Sequence, residues 1–265
     1  MTIKEKEKRL VSLLKGYGSA VIAYSGGTDS TLLALLAKRA LGKDHLAVTA
    51  SSQTYTTEEL AQAKAIAKKH GFNHLVVTTD ELDDPQFSAN PVDRCYHCKN
   101  HLMKIIHAVA LQRGFKTVLD GTNADDGGDF RPGRKAAQEW GVRSPLAEAG
   151  LTKAEIRKIS QRLGLTTWNK PANACLASRV PYGTAISADV LSRIEKAERA
   201  LAKMGFKQFR VRHHGDIARI ELLPADLAKA MKQRTRILQH VKNAGYTFVT
   251  LDLAGYQMGC FNPKE

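Results

Sequence analysis

Residues 20–36 constrain the fold more than any other stretch of the chain. Ala20-Val21-Ile22-Ala23 reads as a short apolar strand that runs straight into Tyr24-Ser25-Gly26-Gly27-Thr28-Asp29-Ser30. The helix that follows is apolar on one side through Leu32, Leu33, Leu35 and Leu36. A strand feeding a helix through so tight a turn aims backbone N–H groups and the helix N-terminus over the strand's carboxyl end. The positive end of the helix dipole favours a phosphate or pyrophosphate there. Gly26 and Gly27 let the backbone approach an anion closely, and Ser25 and Ser30 add hydroxyl donors. Asp29 repels polyphosphate unless a cation lies between them, which points to a divalent metal such as Mg²⁺.

The turn is neither a Walker loop, since no Gly-Lys-Ser/Thr follows, nor Gly-x-Gly-x-x-Gly. It resembles the PP-loop of the ATP pyrophosphatases, which cleave ATP between the α and β phosphates and adenylate an oxygen of the substrate. The plain alternative is an ordinary Gly-rich strand-to-helix turn. Thr28 departs from the resemblance, standing where such loops usually carry an apolar residue, and little consequence is expected of it.

Strands expected at Ala20–Tyr24, His45–Ala50, His74–Thr78 and Thr117–Asp120 alternate with helices near 4–15, 30–41, 57–70, 97–113 and 152–163. This alternation reads as an α/β fold, a doubly wound parallel sheet with ligands at the carboxyl ends of its strands. The fourth strand ends in Asp120-Gly121-Thr122-Asn123-Ala124-Asp125-Asp126. This segment resembles one that lies near nucleotide and metal in PP-loop enzymes, which makes Gly121 and Asp125 candidates; a solvated Asx-rich turn is the bland reading. The end of the second strand, Thr49-Ala50-Ser51-Ser52, falls where such folds hold adenine with backbone groups, which makes Ser51 a candidate.

After residue 184 the pattern changes. A long helix near 187–204 precedes Gln208–Arg212, a turn at His213–Asp216, a return strand at Ile217–Leu222, a helix over 225–243 and a strand at Thr247–Leu251. That set is a small α+β domain. The expected division is therefore 1–184 and 185–265, and 265 residues suffice for both cores.

Lys and Arg number 40 against 26 Asp and Glu, a formal charge of +14. Such a surplus suits a phosphate-bearing small molecule or RNA. Most of the basic residues, including Lys153, Arg157, Lys158 and Arg162, read as solvated helix faces. No Arg-rich tail or basic–aromatic run favours nucleic acid. No apolar run approaches the length of a membrane helix, and the mixed-charge N-terminus has no signal-peptide character. The expectation is a cytoplasmic protein.

The four cysteines narrow the chemistry. Cys95 and Cys98 form Cys-Tyr-His-Cys at a helix start, Cys175 follows Asn173-Ala174, and Cys260 lies near the C-terminus. In a cytosolic setting a Cys-x-x-Cys is a metal, cluster or redox motif before it is a disulfide. Zinc would need a fourth ligand from His97, His101 or Cys260, and a thioredoxin-like pair lacks its βα context. Three thiolates suit a [4Fe–4S] cluster with one iron left open, able to carry an external sulfide. An adenylating enzyme beside a sulfide carrier is a sulfur-transfer enzyme.

Residues 20–31, 94–99, 119–126, 131–134 and 143–184 together resemble the sulfurtransferases of lactate-racemase maturation (LarE-type). The segment from Trp168 through Cys175 and Arg179 to Gly183 is the most specific. Arg210-Val211-Arg212 and Asp216–Glu221 extend the likeness toward the C-terminus. The resemblance implies an ATP-dependent sulfur insertase that adenylates a carboxylate of pyridinium-3,5-biscarboxylic acid mononucleotide and converts it to a thiocarboxylate for a nickel-pincer nucleotide cofactor. It implies ATP and Mg²⁺ at Ser25, Gly26, Gly27, Asp29 and Ser30, with Cys175, Asp29 and Ser30 as catalytic residues. In the family's one-cysteine branch, the residue matching Cys175 surrenders its own sulfur. Cys95 and Cys98 depart from that branch and favour a cluster held with Cys175, fed by sulfide or another sulfur donor.

Arg210 and Arg212, two apart on one strand, are the candidates for the mononucleotide phosphate; a charged outer hairpin face is the alternative. Arg179 is a candidate for substrate or ATP phosphates. Glu198 and Glu221 are metal candidates by family likeness, and surface carboxylates otherwise. Trp140 and Trp168 read as packing residues, and His213-His214 as a solvated turn. A homo-oligomer is expected, with transient contact to other cofactor-maturation proteins. The rival readings are a PP-loop tRNA thiolase with a three-cysteine cluster, an amidating ligase of the NAD or GMP synthetase kind, and a protein that binds ATP without turning it over.

Overall fold

The computed structural model describes residues 1–128, 132–171, 174–257 and 259–261. The expected Arg131–Arg134 and Trp168–Gly183 segments lie partly outside these residues. The chain forms two compact units, 1–80 with 95–173, and 81–94 with 174–265.

In the first unit β1 (Ala20–Ala23), β2 (His45–Ser51), β3 (His74–Thr78) and β4 (Thr117–Leu119) form a parallel sheet in the order β3-β2-β1-β4. The doubly wound expectation holds. Successive β1 residues face opposite sides of the sheet, and helices cover both. Ile22 and Leu119 join Leu10, Leu14, Leu32, Leu33, Leu146 and Ile156 on one side. Val21, Leu46, Val48 and Val118 meet Met103 and Ile106 on the other. Each fully buried Leu or Ile contributes about 1.5–3 kcal/mol.

The helices are α1 (Ile3–Tyr17), α2 (Thr28–Leu41), α3 (Thr57–His70), α5 (Arg94–Gln112), α6 (Pro132–Glu139), α7 (Pro145–Glu148) and α8 (Lys153–Arg162), with the short α4 (Pro85–Ser88) in the second unit. Thr2, Thr56 and Thr152 cap α1, α3 and α8 through reciprocal boxes with Glu5, Glu59 and Glu155. Each satisfies two backbone donors that a helix start leaves open. Helix α2 is buried from Ser30 through Ala37, as expected of a helix packed on the sheet under α1 and α8.

In the second unit α9 (Ala188–Lys203) precedes the antiparallel β5 (Phe209–His214) and β6 (Ile217–Leu222). Helices α10 (Leu227–Lys232) and α11 (Arg234–Asn243) lead to β7 (Phe248–Leu251), which pairs in parallel with β6. Leu201, Phe206, Val211, Ile220, Leu222, Ile237, Val241 and Tyr246 form its core. The single helix expected over 225–243 is broken at Gln233, whose φ of −101° and ψ of 12° leave the helical region. The hairpin turn is narrower than expected. His213 belongs to β5, is 5% exposed and meets the Tyr246 hydroxyl at 3.3 Å, so it is a packed residue rather than a solvated one.

Residues 81–94 and 174–184 group with the C-terminal residues, whereas the sequence division falls after residue 184. Asn90 supplies the reason. Fully buried and left-handed at φ 58°, it donates through Nδ2 to the Pro181 carbonyl at 2.7 Å and the Thr184 carbonyl at 2.9 Å. No described helix is long and apolar enough to cross a membrane.

Candidate active site

The carboxyl ends of β1, β2 and β4 open into a cavity of about 570 Å³ in the first unit. Its lining combines the polar Ser25, Gly27, Asp29, Ser30, Gly121, Asp125 and Lys153 with the apolar Val48, Ala50, Leu60, Leu102 and Ile106. The sequence candidates Ser25, Gly27, Asp29, Ser30, Gly121 and Asp125 thus share one cavity. Gly26 and Ser51 do not line it. Ser51 pairs with Thr78 at the end of β2 and accepts from the Thr79 N–H at 3.1 Å, while Thr49 and Ala50 face the cavity.

The turn is organised by its own hydroxyls. Ser25 Oγ and Ser30 Oγ lie 3.1 Å apart, and the Gly27 N–H donates to Ser25 Oγ at 3.4 Å. Gly26 sits at φ +68°, and a Cβ there would come within 2.9 Å of the Ala63 Cβ on α3. Gly121 passes so close to α2 that a Cβ would meet the Ser30 nitrogen at 3.1 Å. Gly26 therefore requires glycine, and a side chain at Gly121 would have to displace the start of α2 by a few tenths of an ångström.

Asp29 opens α2, and its Oδ2 accepts from Lys153 Nζ at 2.5 Å. Its Oδ1 is buried without a partner among the described residues. Burial pushes the Asp29 carboxyl above its ordinary value, against the pull of Lys153. An orphaned buried carboxylate oxygen beside a phosphate-shaped turn fits a divalent cation. Asp125 is engaged differently: its Oδ2 accepts from the Lys153 backbone N–H at 2.8 Å, capping α8. Asp120 accepts from Ser144 Oγ at 2.7 Å and from Thr122, with Lys99 Nζ at 3.8 Å.

Sequence reasoning misses Lys99 and places Lys153 on a solvated helix face; the structure brings both into the cavity lining. The legible signal is Thr152-x-x-Glu155, a capping box that sets Lys153 at the first position of a helix. Such a residue stands at the helix N-terminus, where anions are bound, rather than along its flank.

Cys95 and Cys98 occupy the first turn of α5 in the first unit, three residues apart and so on one helix face. Cys95 is exposed and Cys98 half-buried. Two thiols so spaced suit shared ligation of a zinc ion or a cluster. Cys175 belongs to the second unit. Among the described residues no three His, Cys, Asp or Glu side chains gather as a metal site, and no disulfide joins the cysteines.

In the second unit the other candidates form two buried ion pairs. Arg179, 1% exposed, grips Glu198 through Nε and Nη2 at 3.0 Å each. Its Nη1 donates to the Ala174 carbonyl at 2.5 Å and the Cys175 carbonyl at 3.0 Å, so it shapes the loop that carries Cys175. Arg212 grips Glu221 at 2.9 and 2.8 Å and also donates to the Ser178 carbonyl. Arg210 differs. It makes no carboxylate pair among the described residues, donates to the Phe209 carbonyl and lies 5.3 Å from the centre of the Tyr256 ring. Burial, then the neighbouring Arg179, pulls its pKa down. Cys260 donates to Glu221 Oε1 at 3.3 Å, and burial raises its thiol pKa. Trp140 packs on His107 and donates to Asn100, but Trp168, expected to pack, is 37% exposed.

Residues 19–129 match a family of unknown function, DUF7411. The chain is 45% identical over 261 residues to the uncharacterised protein slr1717 of Synechocystis sp., covering 97% of each. Over 167 residues it is 29% identical to a glutamine-hydrolysing GMP synthase chain of Thermoplasma volcanium, covering 58% of this chain and 54% of that one. It is 39% identical over 262 residues to the pyridinium-3,5-bisthiocarboxylic acid mononucleotide synthase of Lactiplantibacillus plantarum, covering 98% of this chain and 95% of that one. With an α/β fold, a PP-loop cavity and near full-length identity of this order, the chain belongs to the family of that synthase.

Proposed function

We propose that the protein is an ATP-dependent sulfur insertase that converts a carboxylate of pyridinium-3,5-biscarboxylic acid mononucleotide to a thiocarboxylate. The observation that carries the reading is the buried Asp29 carboxylate, with one oxygen unpartnered among the described residues, set beside a Gly-Gly turn at a helix N-terminus. ATP has its adenine toward Val48, Thr49, Ala50 and Leu60 and its phosphates over Ser25–Ser30. The substrate carboxylate oxygen attacks the α phosphorus, the bond to the bridging oxygen breaks, and pyrophosphate leaves. A sulfur nucleophile then attacks the acyl carbon, and AMP departs with the electron pair of its C–O bond.

The chain's own contribution is positioning and charge neutralisation. Ser25, Gly27 and Ser30 donate to the departing pyrophosphate, and Lys153 neutralises its charge. Asp29, with Asp125 lining the same cavity, would hold Mg²⁺, which would supply charge neutralisation for the phosphates. Arg210, whose donors are not consumed by a carboxylate among the described residues, takes the phosphate of the mononucleotide, and Arg212 would join it only by leaving Glu221. Glu198 and Glu221 would have to leave Arg179 and Arg212 to act as metal ligands.

Cys95, Cys98 and Cys175 would hold a [4Fe–4S] cluster, which when bound supplies an open iron for carrying sulfide. Donation of the Cys175 sulfur itself is the alternative within the same family. Pyrophosphate release and mass analysis of the mononucleotide test the reading together. Release that requires the biscarboxylate, with exchange of carboxylate oxygen for sulfur, is expected. Release indifferent to the mononucleotide would sink it. Dehydroalanine at position 175 after one turnover would select the sacrificial route.

A further inference from the structure

Thr28 and Lys170 have no assigned part in the chemistry above, yet both are bonded to the turn that receives ATP phosphates. Lys170 Nζ donates to the Gly26 carbonyl at 3.3 Å. Thr28 Oγ1 donates to the Thr167 carbonyl at 2.7 Å, a fully buried bond. The same Thr167 carbonyl accepts the Lys170 backbone N–H at 3.1 Å. Residues 165–170 are therefore a strap docked behind the turn, with Arg157 Nη2 on the Lys170 carbonyl at 3.4 Å.

We propose that Lys170 is a positioning residue of the nucleotide site, locking the Gly26–Gly27 peptide in its anion-binding orientation, and that the Thr28 hydroxyl fixes the strap that carries it. The proposal rests on the ATP reading above. A trans peptide is planar, with its C=O and N–H on opposite sides. Holding the Gly26 carbonyl from the strap therefore turns the Gly27 N–H the other way, toward Ser25 Oγ and the cavity that Ser25 and Gly27 line. Two successive glycines leave that orientation open to a flip, because neither has a Cβ to oppose it. Local sterics do not set the donor's direction, so it depends on hydrogen bonds, one to Ser25 Oγ inside the turn and one from Lys170 outside it. Burial lowers the Lys170 pKa, and Glu59 and Glu58 oppose that shift. Thr28, the one departure from the PP-loop pattern, supplies the second tether and so has a consequence after all.

The test is calorimetric binding of ATP and of AMP, each with Mg²⁺, to the full chain as wild type, Lys170→Met, Thr28→Val and Thr28→Ser. Lys170→Met should weaken ATP about tenfold or more, while AMP, which lacks the β and γ phosphates, changes less than about twofold. Thr28→Val should weaken ATP several-fold with AMP unchanged, and Thr28→Ser should restore it. Thr28→Val carries no charge change, so an ATP-specific loss reports turn geometry rather than lost attraction. It also keeps the test decisive if Lys170→Met does not fold. Equal losses for both nucleotides, or an unchanged ATP-to-AMP ratio, would overturn the proposal. Failure of the wild type to prefer ATP over AMP would instead overturn the ATP reading, and the lock with it.

Discussion

Lys153 Nζ sits 2.5 Å from Asp29 Oδ2, so the cavity at the strand ends carries its own cation against the carboxylate in the first turn of α2. Burial disfavours the Asp29 charge, and Lys153 opposes that shift. On the proposed function, Asp29 would take a metal ion in place of the Lys153 ammonium, which would then be available to phosphate.

Asp29→Asn and Lys153→Met should separate these roles. Asp29→Asn removes the metal-holding charge and should lower the rate of pyrophosphate release by about two orders of magnitude or more. Lys153→Met should raise the KM for ATP and lower kcat, with the protein still folded by circular dichroism. Unaltered kinetics in Asp29→Asn would remove Asp29 from the site.

The Arg179–Glu198 pair predicts a stability effect. Both side chains are buried, and Glu198 also accepts from the Val211 N–H at 3.1 Å. Glu198→Gln leaves the guanidinium without its counter-charge and should cost about 3–5 kcal/mol in urea unfolding. A loss below about 1 kcal/mol would show that Glu198 is not bound to Arg179 in solution, returning it to service as a metal ligand.

Cysteine content predicts metal content. Anaerobically purified wild type should hold about four irons and comparable acid-labile sulfide per chain. Cys98→Ala should lose them and stop repeated sulfur transfer, while adenylation, read as substrate-dependent pyrophosphate release, continues. Repeated turnover in an iron-free Cys98→Ala would refute the cluster role, whereas transfer that stops after one turnover would leave the Cys175 sulfur as the donated atom.

Stability should fall on mild acidification, before the carboxylates titrate. His45 is 2% exposed, with Nδ1 on the Gly42 carbonyl at 2.5 Å and Nε2 accepting the Asn73 N–H at 3.2 Å. Burial holds it below its ordinary pKa of 6.5, and the same cause depresses His74 and His213. A folded pKa below the unfolded one means that the stability is present above about pH 6.5. It is lost as pH falls through that value, where the unfolded chain takes up protons first. The Tm should drop between about pH 7 and about pH 5. His45→Gln should flatten that drop, and an equally steep drop in the variant would acquit His45.

The strand–turn–helix at Ala20–Leu36, the parallel α/β alternation and the family are legible in the sequence because each is local. An apolar strand, two glycines and an amphipathic helix leave their marks within a dozen or so residues. Ser25, Gly27, Asp29 and Ser30 are neighbours in sequence, and Gly121 and Asp125 follow a strand that had to end on the same rim. Lys153 escapes such a reading because its neighbours suggest a solvated helix. Only the docking of that helix shows that its first residue meets Asp29 across 124 positions.

The same distinction separates the arginines. From sequence alone, Arg210 and Arg212 are indistinguishable candidates for the mononucleotide phosphate, and Arg179 is a candidate for substrate or ATP phosphates. The fold buries two of them on Glu198 and Glu221 and leaves Arg210 without a carboxylate among the described residues. Which charge is consumed depends on the nearest opposite charge in space, and no spacing along the chain encodes it. The sequence by itself determined the fold class, the phosphate turn and the supply of thiols, since all three follow from residue type and local order. Only the tertiary structure decided which cation stands on Asp29, which arginine remains uncompensated, and that Lys170 and Thr28 tie down the back of the turn, because those bonds join residues that meet only when the chain is folded.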